Sequence, residues 1–267
     1  MKKLLIIPIL LLSILCNAQF TKGGGLFLKT GSGFLSGAGV GAPSTLLNGL
    51  KAYYKLDEAS GSVLDAVGDN DGTNSGADPN QTVGGRVGYT FSAADYIDMG
   101  NTADLSGLTG AGTLSAWVYQ TVNGTTTNYQ TIVSKMNFDT ERNGYILFIS
   151  SPNYVRGGGA SAAASDFTSG SVGSSNTLNQ WQHIVFTWDV SEGEMITYIN
   201  GSAAQTDTGL AITYVSNVHN FRIGVNGSYG NSFIGTMNHL GVWNRALTST
   251  EITELYDSGA INAYPFN

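Results

Sequence analysis

A chain of 267 residues carries 19 Asp and Glu against 12 Lys and Arg, a formal charge of −7, which sets it against nucleic acid and anionic membrane surfaces as partners. Its single cysteine, Cys16, excludes a disulfide framework within the chain, so stability has to come from burial. The length beyond a short leader, about 250 residues, suits one large β domain better than two compact ones.

The chain opens with Lys2 and Lys3 ahead of an apolar run from Leu4 to Leu15, and Ala18 follows as a small residue suited to cleavage. This is the pattern of a secretory signal over residues 1–18. A membrane anchor needs roughly 20 apolar residues, and the run falls short. Leu15 stands where a lipid-modification site at Cys16 wants a small side chain, so export with cleavage is the expectation, leaving a secreted or cell-surface protein without a membrane span. Residues 19–48 are dense in Gly and Ser with isolated apolar residues. They read as a flexible tether, or as an arm that orders only against a partner chain, either another copy or a neighbouring assembly subunit.

After Gly49 the texture changes to short alternating runs separated by turn residues, the pattern of a multi-stranded antiparallel protein. In "LKAYYKLD" the residues Leu50, Ala52, Tyr54 and Leu56 share one face, with Lys51, Tyr53 and Lys55 on the other. The next stretch, "DEASGSVLDAVGDNDGT", gathers five carboxylates without a cation. Like charges this close must be solvated, separately paired or collected around an ion. Further strands are predicted at "TLSAWVYQ", "QTIVSKM", "GYILFIS", "WQHIVFTWD", "EMITYINGS", "NFRIGV" and "FIGTMNHLGVW". Asn200-Gly201 fits a two-residue hairpin turn, because both residues tolerate positive φ. One helix is predicted, in "ALTSTEITELYDSG", where Thr248 and Glu251 stand at capping-box spacing, Ile252, Leu255 and Tyr256 form an apolar stripe, and Gly259 ends it.

Catalytic signatures are missing from the sequence. Glycoside cleavage needs two carboxylates facing one cleft at about 5 Å or somewhat more, and no predicted strand carries such a pair. Asp189, Glu192 and Glu194 fall at a hairpin turn with Gly193 at its tip. His183, His219 and His239 lie in separate segments without metal-ligand spacing, and His183 reads as a hydrogen-bonded core residue. No nucleophile elbow, phosphate loop or dinucleotide fingerprint is present despite 36 glycines.

The order of seven pieces, "GLKAYYKLDEASGSVLDAVGDNDGT", "YTFSAADYIDMGN", "GTLSAWVY", "QTIVSK", "WQHIVFTWD", "TYINGS" and "FIGTMNHLGVWNRALTSTEITELY", resembles the laminin G-like, concanavalin A-like jelly roll of secreted bacterial and phage structural proteins. The resemblance covers residues 49–259, leaves 260–267 as a tail, and implies an all-β sandwich of two antiparallel sheets with one short C-terminal helix. It also implies a structural calcium ion held by an Asp in the loop after the first strand, matched by Asp65, and by an acidic residue near the start of the last strand, where this chain has Asn238. An amide oxygen still suits calcium. Alternation sets Asn238 on the same face as Leu240 and Val242, where a buried amide needs a partner, either loop backbone or the ion. Asp69 and Asp71 are supplementary ligand candidates, or solvated turn residues.

For such a fold without catalysis, the resemblance implies a carbohydrate-binding or adhesive module whose partner is a glycan or surface protein. The alternative is a decoration or fibre protein of a virion or surface assembly, and a glycoside hydrolase is less favoured. Sugars are held by aromatic faces, planar amides and Arg, which points to the loop residues Arg142, Asn143, Tyr154, Arg156, Asn226, Tyr229 and Asn231.

Overall fold

A computed structural model describes residues 17–20, 26–30, 33–35, 44–125, 129–136, 144–160, 167–212, 217–227 and 231–266, in two compact units divided after residue 44. In the first unit, β1 (Asn17–Phe20), β2 (Leu26–Thr30) and β3 (Gly33–Leu35) pair antiparallel in chain order. The stretch that reads as a tether or partner-ordered arm thus contains a small sheet. The rest of the leader lies outside the described residues.

The second unit begins with β4 (Leu50–Tyr54), β5 (Thr73–Ser75), β6 (Asp78–Val83), β7 (Arg86–Phe91) and β8 (Tyr96–Asp98). After the single turn α1 (Ala103–Ser106) come β9 (Ala111–Gln120), β10 (Gln130–Ser134), β11 (Gly144–Ser150), β12 (Tyr154–Ala160) and β13 (Phe167–Ser175). The chain closes with β14 (Trp181–Asp189), β15 (Glu194–Ile199), β16 (Ser202–Asp207), β17 (Arg222–Ile223), β18 (Gly235–Trp243) and the helix α2 (Ser249–Tyr256). Among the described residues these strands form two sheets. One has seven strands in the order β13-β12-β11-β10-β17-β8-β5, and the other has eight, β16-β15-β14-β9-β18-β7-β6 with β4 added on β18. All strand pairings are antiparallel, as the alternating pattern requires.

The core lies between the sheets. Leu114, Ala116 and Val118 of β9 and Ile184, Phe186 and Trp188 of β14 face Tyr145, Leu147 and Ile149 of β11, all buried. The Trp188 ring stacks on Tyr145 and Phe186, each with centroids 5.3 Å apart. Room for these rings comes from glycine: a Cβ at Gly112 would sit 2.2 Å from the Trp188 ring, and one at Gly157 would sit 2.1 Å from Phe186.

The predicted turns form for the reasons the residues suggest. Asn200 and Gly201 take φ 51° and 77° between β15 and β16, and Asp189 Oδ1 accepts from the amides of Ser191 and Glu192 at the next hairpin, with Gly193 at φ 62°. Helix α2 begins with the full capping box of Thr248 and Glu251 and ends at Asp257 in the left-handed region. Its Ile252 and Leu255 pack with Val185, Tyr198 and Trp243 on the outer face of the eight-stranded sheet. Burial of each such side chain is worth about 1.5–3 kcal/mol.

Two departures from strict alternation matter. Leu50 joins Tyr53 in this outer cluster rather than lying with Ala52, Tyr54 and Leu56 in the inter-sheet core, because the register slips between Val242 and Trp243. His239, at φ 48°, is an extra residue in β18, and the pairing with β9 shifts between Asn238 and Gly241. Met237 therefore takes the inward position beside Leu240 and Val242. Asn238, opposite Trp117, faces away from them.

Candidate functional site

The sandwich has two outer faces, and they differ. That of the eight-stranded sheet is closed. The Arg86 guanidinium lies 4.0 Å above the Trp117 ring, Trp117 stacks on His183 at 5.1 Å and on Tyr256 of α2 at 5.7 Å, and the Arg86 Nη2 donates to the Gly259 carbonyl. His183 is a buried core residue whose Nε2 bonds Ser115 Oγ at 2.8 Å, and burial with the nearby Arg86 charge pushes its pKa down to about 3. A neutral imidazole under a helix is packing, as its alternation with Trp181 and Val185 indicates.

The outer face of the seven-stranded sheet is open along one half. Register places Thr73, Asp98, Arg222, Ser134, Ile146 and Gly158 in one row across β5, β8, β17, β10, β11 and β12. Toward β10 and β11 the face is apolar, with Met136, Ile146 and Phe148 buried and Tyr129 packed 5.3 Å from the Phe148 ring. Toward β8 and β5 it is polar and opens into a groove of about 540 Å³ lined by Asp71, Thr73, Ser75, Tyr96, Asp98 and Gly100. A hollow of about 170 Å³ lined by Ser134, His219, Asn220 and Arg222 adjoins it across the Asp98–Arg222 pair.

The pair is held by its neighbours. Arg222 Nε donates to Asp98 Oδ2 at 3.1 Å and its guanidinium lies 5.3 Å from the Tyr96 ring. Asn220 Nδ2 donates to both Asp98 oxygens, at 2.9 and 3.1 Å, and the Gly100 amide donates to Oδ1 at 2.8 Å. Burial alone would raise the Asp98 pKa; the bonds from Asn220, Gly100 and Arg222 outweigh it and lower the pKa, so the carboxylate stays ionised. The arrangement presents an oriented aromatic ring and a fixed guanidinium beside hydroxyls and amides on a rigid sheet.

Of the loop residues expected to contact a ligand, Tyr154 and Arg156 are half-buried on this same outer face, Arg156 opposite Phe148 on the neighbouring strand. Asn226 is buried, and the Asn231 side chain accepts from the Tyr129 amide at 2.9 Å. Arg142, Asn143 and Tyr229 lie outside the described residues. Sequence reasoning passed over Tyr96, Asp98, Asn220 and Arg222, although alternation about Ile97 and Ile223 sets Tyr96, Asp98 and Arg222 outward.

The residues expected to hold calcium take other partners. Asp65 Oδ1 accepts from the Tyr53 and Val67 amides, both at 3.0 Å, while Oδ2 accepts from Asn70 Nδ2 at 2.8 Å and the Asn70 amide at 3.3 Å. A carboxylate offers about four acceptor positions, and all are taken. Asp71 Oδ1 accepts from the Asp65 amide at 2.8 Å, and Asp69 is exposed. Asn238 Nδ2 donates to the Val87 carbonyl at 2.8 Å, while its buried Oδ1 has no hydrogen-bond partner among the described residues. Backbone thus satisfies half of the Asn238 amide, and no contact among the described residues joins it to Asp65. Nor do the described residues include a group of three or more His, Cys, Asp or Glu placed to hold a metal ion. As arranged, this donor set does not fit calcium.

Comparison with known proteins places the fold. Domain 4 of AbnA, an extracellular arabinanase of Geobacillus stearothermophilus, solved in complex with arabinotriose, matches at 21% identity and TM-score 0.55 over 76% of this chain and 96% of that one. The receptor-binding domain of botulinum neurotoxin C/D mosaic serotype matches at 16% identity and TM-score 0.59 over 78% of this chain and 51% of that one. The binding domain of botulinum neurotoxin DC in complex with SialylT matches at 12% identity and TM-score 0.57, over 79% and 52%. This chain spans about half the length of those toxin domains. No curated protein matches it. Two antiparallel sheets with an open outer face agree with the family model for concanavalin A-like lectins and glucanases, which matches residues 91–253, so the chain belongs to that superfamily.

Proposed function

We propose that the chain is an exported, non-catalytic carbohydrate-binding module that holds a glycan on the outer face of its seven-stranded sheet. The observation that carries this reading is the groove at Tyr96 and Asp98 with the adjoining hollow at Asn220 and Arg222, joined by the bonds of Asn220 and Arg222 to Asp98. An aromatic ring fixed beside a guanidinium and amides matches the stacking and hydroxyl bonding that sugars require. Solved neighbours of the fold carry arabinotriose and SialylT, which supports a saccharide as ligand. Two carboxylates line the groove, Asp71 and Asp98. Asp98 is held ionised by its donors, the reverse of the raised pKa that a general acid in glycoside cleavage needs. Binding without turnover is therefore the better fit.

The test is a glycan array with the purified chain, followed by titration of the best hit against Tyr96→Ala. Loss of stacking is expected to weaken binding about tenfold or more, in line with about 1.5 kcal/mol for an aromatic contact, at unchanged melting temperature. A full array without hits, or equal binding by the variant, refutes the site. Release of reducing ends from a bound polysaccharide refutes the non-catalytic reading.

A second reading, a decoration or fibre component of a virion or surface assembly, is favoured by one observation: residues 17–35 hold a sheet of their own. It requires the isolated protein to self-associate through that segment, which light scattering of the chain with and without residues 19–43 measures.

A further inference from the structure

The acidic loop between β4 and β5 closes on itself through protein groups alone. Asn70 is nearly fully buried, and its Nδ2 lies between two oxygens, Asp65 Oδ2 at 2.8 Å and the Lys51 carbonyl at 3.4 Å. The Asn70 carbonyl accepts from the Tyr54 hydroxyl at 2.9 Å. Around this amide the Ala66 amide bonds the Tyr53 carbonyl at 2.8 Å, and Val63 and Gly72 exchange bonds of 2.9 and 2.8 Å. The loop wraps so closely that a Cβ at Gly68 would lie 3.2 Å from Asp65 Oδ2 and 3.4 Å from Asn70 Nδ2.

An ion at a sandwich margin gathers oxygens from a loop and from the strand the loop leaves. Here the partly positive NH2 of an amide gathers the same kinds of oxygen, one carboxylate and one main-chain carbonyl. The remaining positions of the Asp65 carboxylate are filled by the Tyr53, Val67 and Asn70 amides. A cation entering would have to displace bonds that already fill the carboxylate's acceptor positions, and the displaced amides of Tyr53 and Asn70 would be left buried without partners.

We infer that the Asn70 side-chain amide takes the place of a divalent cation in this loop, so that closure of the loop on β4 and the stability it confers are independent of calcium. The inference stands apart from the glycan reading, since it concerns folding alone.

Thermal unfolding of the full chain in excess calcium and in excess EDTA tests it, together with Asn70→Ala and Asn70→Asp. The wild-type melting temperature is expected to agree within about 1 °C between the two conditions, because an ion that does not bind the folded state cannot shift its melt. Asn70→Ala is expected to melt several degrees lower in both. Asn70→Asp sets a second carboxylate against Asp65 and is expected to melt low in EDTA and recover in calcium. A wild-type melt that falls on chelation overturns the inference, as does an Asn70→Asp protein as stable as wild type in EDTA. The wild-type comparison still decides the matter if a variant fails to fold.

Discussion

Replacing Glu251 by Gln probes how the first and last segments of the sandwich are locked. The Glu251 carboxylate is buried and bidentate with Arg245, Nη1 to Oε2 at 2.8 Å and Nη2 to Oε1 at 2.6 Å. It also accepts from the Thr45 hydroxyl at 2.5 Å and from the Thr248 amide at 2.8 Å. Arg245, first, and then Thr45 and Thr248 outweigh the cost of burial and bring its pKa from an ordinary 4.5 to about 2. At 1.36 kcal/mol per pKa unit this is worth about 3 kcal/mol at neutral pH. Gln keeps the shape and one acceptor oxygen, so the expected loss is about 2–3 kcal/mol, a fall in melting temperature of about 4–12 °C for a domain of this size.

The sign fixes the pH behaviour. A carboxylate whose folded pKa is depressed stabilises the fold above its unfolded pKa, and that stability fades as pH falls toward the folded value. The difference between wild type and Glu251→Gln should therefore be full at pH 7 and shrink steadily below about 4.5. Paired thermal melts across that range measure it. A gap of equal size at pH 7 and at about pH 3 would refute the electrostatic account and leave only a packing defect.

Two further outcomes follow from the core and from a buried cation. Gly112→Ala would put a methyl 2.2 Å from the Trp188 ring and is expected to cost about 1–3 kcal/mol by overpacking; chemical denaturation with near-ultraviolet circular dichroism should show both the loss and a disturbed tryptophan signal, and an unchanged spectrum refutes the close fit. Lys135 is buried, its Nζ on Asn101 Oδ1 at 2.6 Å and the His219 carbonyl at 2.5 Å, and burial lowers its pKa from 10.5 to about 8. Between those values the unfolded chain holds a proton the folded one has released, so wild-type stability relative to Lys135→Met should rise with pH across that window. Denaturation free energies that keep a constant difference there contradict it.

What the sequence discloses is what neighbours along the chain decide. The capping box of Thr248 and Glu251 and the turns at Asn200-Gly201 and Gly193 form as read, because three or four adjacent residues set their backbone. Alternation located the strands and most of the core. It failed at Tyr53, which a polar-face reading exposes but which is buried against Phe266 from the far end of the chain. It failed again at Asn238, since an extra residue in β18 is visible only against the partner strand. The groove was hidden for a related reason: Asp98 and Arg222 are 124 residues apart, and nothing local announces that β8 and β17 are neighbours. Asp65 was singled out as a calcium ligand; its four donors here are mostly main-chain amides, which leave no mark in a side-chain pattern.

The opening and closing segments of the sandwich share one patch. Trp243 Nε1 donates to the Leu46 carbonyl, Arg245 reaches the carbonyls of Thr45 and Asn48, and Leu46 and Phe266 sit in one apolar cluster. A module whose entrance and exit adjoin is a cassette: it can be spliced into a surface loop of a larger host, or strung in series, without prising its layers apart. By the same geometry, a short bridge between the two ends would yield a circularly permuted protein that keeps the open sheet face intact.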